Sequence, residues 1–220
     1  FDYYKDSGAS PVKGYVHDEL LRRKGRLYVL ASHFHPDHFN RDILRWKQHK
    51  EDVRYILSSD ILHEKKAKRE EALFLSKGER YEDECIQIQA FGSTDAGISF
   101  LLGMEGKLVF HAGDLNNWHW KDESTPEEVE EAEKAYLEEL EELATAAGRL
   151  DLAMFPVDPR LGSDYMRGAE QFVSRIETKL FAPMHFGEAY DKAAAFAPFA
   201  RTRHCQLLEL TRKGEHFIIH

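Results

Sequence analysis

His33-Phe34-His35-Pro36-Asp37-His38 places three imidazoles and a carboxylate within six positions, directly after the largely apolar run Leu27-Tyr28-Val29-Leu30-Ala31-Ser32. In extended backbone, side chains two apart share a face, so His33, His35 and Asp37 are expected to point one way while His38 turns aside as the chain leaves the strand. Pro36 biases His35 toward extended backbone and keeps the first two imidazoles in line until the turn begins. Ring nitrogens and carboxylate oxygens are ligands for divalent metals, and this many at the end of a buried-type strand can serve two ions.

Further along the chain, Phe110-His111-Ala112-Gly113-Asp114 and Phe181-Ala182-Pro183-Met184-His185-Phe186-Gly187 each follow an apolar run, with Phe155-Pro156-Val157-Asp158 between them. With the H-x-H-x-D-H hexapeptide, these segments resemble the metallo-β-lactamase superfamily. The first looks like the strand that ends in a metal-bridging aspartate, the second like the strand that ends in the last histidine ligand. The Ala-Gly-Asp and Pro-Met-His wordings are most similar to the ascorbate-6-phosphate lactonase-like hydrolases.

The alternation of strand-like and helical runs independently implies an α/β protein with helices outside the sheet. The resemblance makes that expectation an αβ/βα four-layer sandwich. Strands are expected over 27–33, 53–58, 85–91, 98–102, 107–111, 152–157, 180–183, 206–210 and 216–219. Helices are expected over 39–48, 61–75, 166–177 and 189–199. The clearest helix has Thr125 as N-cap, Pro126 in its first position, Glu128 closing a capping box and Gly148 at its end. Its apolar residues Val129, Ala132, Tyr136, Leu140, Leu143 and Ala147 keep the helical period.

At 220 residues and 42% hydrophobic, the chain can bury a substantial core and reads as one domain over 1–220. It begins at Phe1, and Phe1-Asp2-Tyr3-Tyr4 resembles the end of a strand that a β-hairpin precedes in this superfamily, so the first strands are expected to be missing. The net charge is -9, and 126–147 alone holds nine Glu against one Lys. No basic face offers the usual electrostatic source of nucleic-acid binding, so a nucleic-acid partner is not expected. The lysine and arginine cluster over 65–69 reads as a solvated helix face.

Two cysteines, Cys85 and Cys205, stand outside any C-x-x-C pattern, which argues against a disulfide framework or thiolate zinc site. Cys85 is expected in the core. No run is long and apolar enough to span a bilayer, and a cytoplasmic location is the default expectation. Oligomeric state is not legible.

The resemblance implies His33 and His35 in site one, Asp37, His38 and His185 in site two, and Asp114 as the bridge. It also implies a further histidine for site one in a turn before Asp114, where this chain has Gly92-Ser93-Thr94-Asp95-Ala96-Gly97, with Ser93 at the histidine's place. A hydroxyl is a poor zinc ligand. Either Asp95 substitutes, or water and another histidine such as His119 complete the site, or site one binds weakly. A carboxylate in place of imidazole hardens the site and moves preference toward manganese or iron, but two histidines and two aspartates still suit zinc, which is expected first, with manganese or iron as alternatives. Asn116, Trp118, His119 and Trp120 follow Asp114 closely enough to meet a substrate. Arg160 and Arg167 could hold its anionic group.

Metals of this kind lower the pKa of bound water to about 7, and Asp37 is the natural proton acceptor or donor, with His119 a second catalytic candidate. The expected activity is metal-dependent hydrolysis, by metal-bound hydroxide, of a small, anionic ester or lactone. The alternatives are a nuclease or other phosphodiesterase, and a non-catalytic metal-binding protein with a degenerate first site.

Overall fold

The apolar run before the hexapeptide forms β1, Leu27–Ala31, which pairs in parallel with β2, Val53–Ser58, in a register from Leu27↔Val53 to Ala31↔Leu57. The computed structural model describes residues 1–10 and 13–219. They divide into two units, Phe1–Ser76 with Arg212–His220, and Lys77–Thr211.

In the first unit, β3, Leu73–Leu75, extends the sheet in the order β1-β2-β3, all parallel. A parallel sheet covered on both faces favours continuous rather than alternating apolar residues, and Val29, Leu30 and Ala31 are all buried. A 3-10 helix over Arg41–Gln48 crosses from β1 to β2, capped by the Asn40 side chain on the Asp42 amide at 2.9 Å. It buries Ile43, Leu44 and Trp46, and Tyr55 on β2 donates its hydroxyl to Ile43 O at 2.6 Å. A short helix α1, Tyr15–Asp18, precedes β1.

The helix expected over 61–75 is corrected by the structure. Only α2, Ser59–His63, forms, and Lys65 takes a left-handed φ of 56° that ends it. The charged residues that follow favour a helix locally, but 61–75 carries too few apolar residues for a buried stripe. Leu73, Phe74 and Leu75 instead pair with Ile56, Leu57 and Ser58. Tertiary pairing overrides propensity here.

The second unit is built on a seven-stranded sheet in the order β10-β9-β8-β7-β6-β5-β4. Strands β4 (Arg80–Glu82), β5 (Gln87–Phe91), β6 (Ser99–Met104) and β7 (Lys107–His111) pair antiparallel, each with the next. Strands β7, β8 (Arg149–Pro156), β9 (Glu177–Met184) and β10 (Gln206–Leu207) are parallel. Glu105 and Gly106 join β6 to β7 with φ of 51° and 73°, the positive pair a two-residue hairpin requires. The parallel crossovers carry α3 (Pro126–Ala146), α4 (Arg167–Arg175), α5 (Tyr190–Ala194) and α6 (Ala197–Thr202).

Helix α3 begins with the expected capping box: the Thr125 amide donates to Glu128 Oε2 at 2.8 Å, and the Glu128 amide to Thr125 Oγ1 at 3.3 Å. Tyr136, Leu140, Leu143 and Ala147 are buried beside Phe110, Phe155, Phe172 and Phe181, while Val129 and Ala132 in its first turns are only half-buried. Phe155 lies 4.6 Å from Phe172 and Phe181 4.8 Å from Phe196, ring centre to ring centre, so α4 and the α5–α6 segment close over the parallel strands.

Three smaller expectations are also corrected. The helix over 189–199 is two helices, because Pro198 stands in the first turn of α6, where its missing N–H costs nothing but could not continue a longer helix. Cys85 is exposed, since Asp83 Oδ1 accepts the amides of Cys85 and Ile86 at 2.9 and 3.1 Å and this turn buries Ile86 instead. Residues 216–219 form no strand, and the His216 ring stacks on Tyr15 with centres 5.9 Å apart. No helix among the described residues is long and apolar enough to cross a membrane.

Candidate metal-binding residues

In the first unit β1 stops at Ala31, so the hexapeptide is a turn and not the extended run its spacing suggests. The amides of His38 and Phe39 donate to His35 O at 3.0 and 2.8 Å, folding the chain back at Pro36. The turn brings the His38 ring over His33, 4.0 Å between centres, and the His35 ring lies 4.7 Å from His33. His33 and His38 are buried, His35 is half-buried, and the Asp37 side chain is 67% exposed with Oδ2 3.7 Å from His38 Nε2. His38 therefore joins the cluster, and the shared face of His33, His35 and Asp37 is not what assembles it.

Asp2 anchors these rings. Its side chain is 9% exposed; Oδ1 accepts the Ser32 amide at 2.7 Å, and Oδ2 takes the Ser32 hydroxyl at 2.7 Å and lies 2.8 Å from His38 Nδ1. Ser32 Oγ in turn lies 3.0 Å from His33 Nδ1. With Nδ1 engaged on both rings, Nε2 is the atom each can offer a cation, the arrangement that orients histidine ligands. Sequence reasoning missed Asp2 because a single acid at the start of the chain carries no periodic signal. Asp60, after β2, accepts the Phe34 amide at 3.3 Å, and burial raises its pKa against the donors around it.

In the second unit β7 ends at His111, and Gly113 turns the chain with a φ of 53°. His111 is buried with Nδ1 accepting the Gly113 amide at 3.1 Å, the structural role expected of it. The turn presents Asp114, buried, with Oδ1 2.9 Å from Nε2 of His185. His185 follows β9 in a left-handed conformation, φ 63°, and its Nδ1 lies 3.7 Å from Oδ2 of the fully buried Asp158. Burial alone would lower the His185 pKa, but Asp114 and Asp158 outweigh it and raise the ring to about 9. Burial would likewise raise Asp158, yet His185 and Arg160 hold it down to about 2. The chemistry and spacing of these donors suit a divalent cation: His33 and His35 offer ligand atoms within 4.8 Å of each other, and so do Asp114 and His185.

The residues around Asp114 separate into those that can meet a ligand and those that cannot. Thr94 clamps the turn that carries Ser93 onto the loop after β7, its hydroxyl donating to Asn116 O at 2.6 Å and accepting the Asn116 amide at 2.9 Å. Asp95 is exposed and donates its amide to Ser93 Oγ at 3.4 Å, the local turn of a serine rather than the pose of a ligand. His119 is buried with both ring nitrogens engaged, Nδ1 accepting the Lys121 amide at 3.0 Å and Nε2 facing Asp164 O at 3.2 Å. This corrects the expectation of a catalytic or metal-completing role, since neither nitrogen is available.

Asn116 is also corrected as a substrate contact. It is fully buried, and neither polar atom of its amide has a hydrogen-bond partner among the described residues. It packs so closely on Gly168 that a Cβ there would stand 1.9 Å from Asn116 Oδ1. Trp118 remains beside the site: half-buried, Nε1 donating to Asp114 O at 2.7 Å, its ring 5.8 Å from His185 and 6.3 Å from Trp120. Arg160 has a side chain 67% exposed and donates Nε to both Asp158 oxygens at 2.9 Å. Arg167 is instead committed to Glu133 on α3 at 2.7 Å.

No protein-family model matches the chain, and no curated protein matches it. Among solved structures, a protein from Parabacteroides distasonis provisionally described as a metal-dependent hydrolase aligns at 16% identity with a TM-score of 0.57, over 84% of this chain and 76% of that one. The metallo-β-lactamase fold protein YhfI from Bacillus subtilis aligns at 10% identity with a TM-score of 0.54, over 83% of this chain and 75% of that one. Both likenesses are likenesses of fold, and they show that this α/β chain has the metallo-β-lactamase fold.

Proposed function

We propose that the protein is a metal-dependent hydrolase of a small anionic ester or lactone, with His33, His35, Asp37, His38, Asp114 and His185 as its ligands. The observation that carries this reading is the anchoring of His33 and His38 through Nδ1 by Ser32 and Asp2. Engaging Nδ1 with a carboxylate or hydroxyl while leaving Nε2 to a cation is the arrangement by which metal-binding histidines are oriented. The lactonase-like wording around Asp114 and His185 supports the choice of substrate class, and the nitrogen-rich donor set supports zinc ahead of manganese or iron.

Bound at these donors, divalent cations supply water activated for nucleophilic attack at neutral pH. The chain's own residues do the rest. Asp2 and Ser32 fix the direction of two rings, and Asp37, exposed beside His38, takes and returns the proton. Arg160 offers a cation to an anionic substrate, and Trp118 forms an apolar wall next to His185.

Metal analysis of the purified protein, combined with turnover on a panel of lactones, phosphodiesters and β-lactams, tests the reading. One or two bound ions and chelator-sensitive cleavage of an anionic lactone or ester are expected. A protein that retains no metal and cleaves nothing after reconstitution with zinc or manganese would refute it, and cleavage confined to phosphodiesters would move the substrate class.

A further inference from the structure

Strand β8 ends at Pro156, and two residues later Asp158 lies fully buried. Its carboxylate accepts the Arg160 amide at 3.0 Å, capping the turn that follows, and holds the Arg160 guanidinium. Toward β9 it faces Nδ1 of His185 at 3.7 Å, while Nε2 of the same ring meets Asp114 at 2.9 Å. The two strands stay paired up to Pro156↔Met184, and the Val157 amide donates to Met184 O at 2.9 Å, so Asp158 and His185 leave the sheet side by side. His185 is not placed there by backbone preference. Its φ of 63° lies in a region that costs a non-glycine residue roughly 1–3 kcal/mol, so its surroundings must hold it.

We propose that Asp158 is a positioning residue: it holds His185 by Nδ1 so that Nε2 is presented, with Asp114, to a metal ion, and it keeps Arg160 beside that ligand pair. The proposal rests on the reading of Asp114 and His185 as metal ligands. A purely structural Asp158 would act as the cap of its own turn and nothing more. Asparagine tests the difference, because it keeps the volume and the capping acceptor but loses the charge.

The Asp158→Asn protein is expected to bind zinc roughly 10–100-fold more weakly, read by competition with a chromogenic chelator. If Asp158 acts through His185, the loss should shrink in a His185→Ala background, since coupled residues are not additive. In the zinc-loaded native protein, nitrogen-15 NMR should show His185 Nδ1 protonated and slow to exchange. Native affinity in Asp158→Asn, full additivity with His185→Ala, or an Nδ1 proton that exchanges as fast as one open to water would each overturn the role. Should Asp158→Asn fail to fold, the exchange rate of the Nδ1 proton in the native protein decides, because binding through Nε2 alone places a proton on Nδ1 but does not protect it. A native protein that takes up no zinc would fault the ligand assignment and this proposal with it, whereas binding undiminished in Asp158→Asn would fault the role of Asp158 alone.

Discussion

Asp2 and Asp95 show how far a residue's type falls short of its role. Both are acids near turns with histidine or serine, but the Asp2 side chain packs against Ser32 and His38 while Asp95 lies on the surface. Replacing Asp2 by Asn should weaken metal binding roughly 10–100-fold, because His38 loses the charged acceptor that fixes its ring. Isothermal titration with zinc measures this, and an unchanged affinity would remove Asp2 from the site. Asp95→Ala should leave metal stoichiometry as it is. Loss of an ion from that variant would instead make Asp95 the substitute for the histidine that Ser93 displaces. The hexapeptide and Asp114 were legible because their donors sit together or end a strand. Asp2 was not, since its partners stand 30 and 36 positions away in sequence.

Elements were legible where a local signal agreed with packing. Thr125, Pro126 and Glu128 announce α3, and the observed capping box is the same one. The stretch 61–75 failed because its helix-favouring charges have no buried face, and a three-residue strand found its partner on β2 instead. Helix α4 supports a prediction at this scale. In most helices Gly→Ala stabilises by up to about 1 kcal/mol, but at Gly168 the new Cβ would stand 1.9 Å from Asn116 Oδ1 and 3.0 Å from the Asn117 amide nitrogen. Gly168→Ala should therefore destabilise by roughly 1–3 kcal/mol in denaturant unfolding. The same change in an Asn116→Ala background should cost clearly less. Equal cost in both would mean that the Asn116 contact does not set the spacing of α4 from the loop after β7.

At the scale of the whole molecule, charge is spread as paired sites rather than as one field. Glutamates of α3 meet Lys77, Arg167 and Arg175, so the acidic helix is partly neutralised within its own unit. Acid sensitivity should appear first where a carboxylate organises backbone. Asp6 is buried, which alone would raise its pKa, but the amide and ring of His17 and the amides of Ser7 and Val16 hold it below the usual carboxylate range. A carboxyl lowered on folding contributes stability that is present above its unfolded pKa of about 3.9 and is lost as the pH falls through the lower folded value. Hydrogen exchange at the amides of Ser7, Val16 and His17, corrected for intrinsic rate, should speed up as the pH drops below about 4. Protection that stays constant from pH 5 to pH 3 would show that Asp6 does not tie this segment down.

The sequence by itself determined the fold class, the two histidine and aspartate segments that end strands, and the capped helix between them. Each is a local pattern: ligand atoms a few residues apart, apolar period, or capping spacing. Only the tertiary structure decided which polar residues stand behind those histidines. Asp2 reaches His38, Asp158 reaches His185, and Asn116 and His119 turn inward although their positions invite a role in binding. Burial and hydrogen-bond partners depend on which distant segments are packed together, and no local spacing encodes that choice.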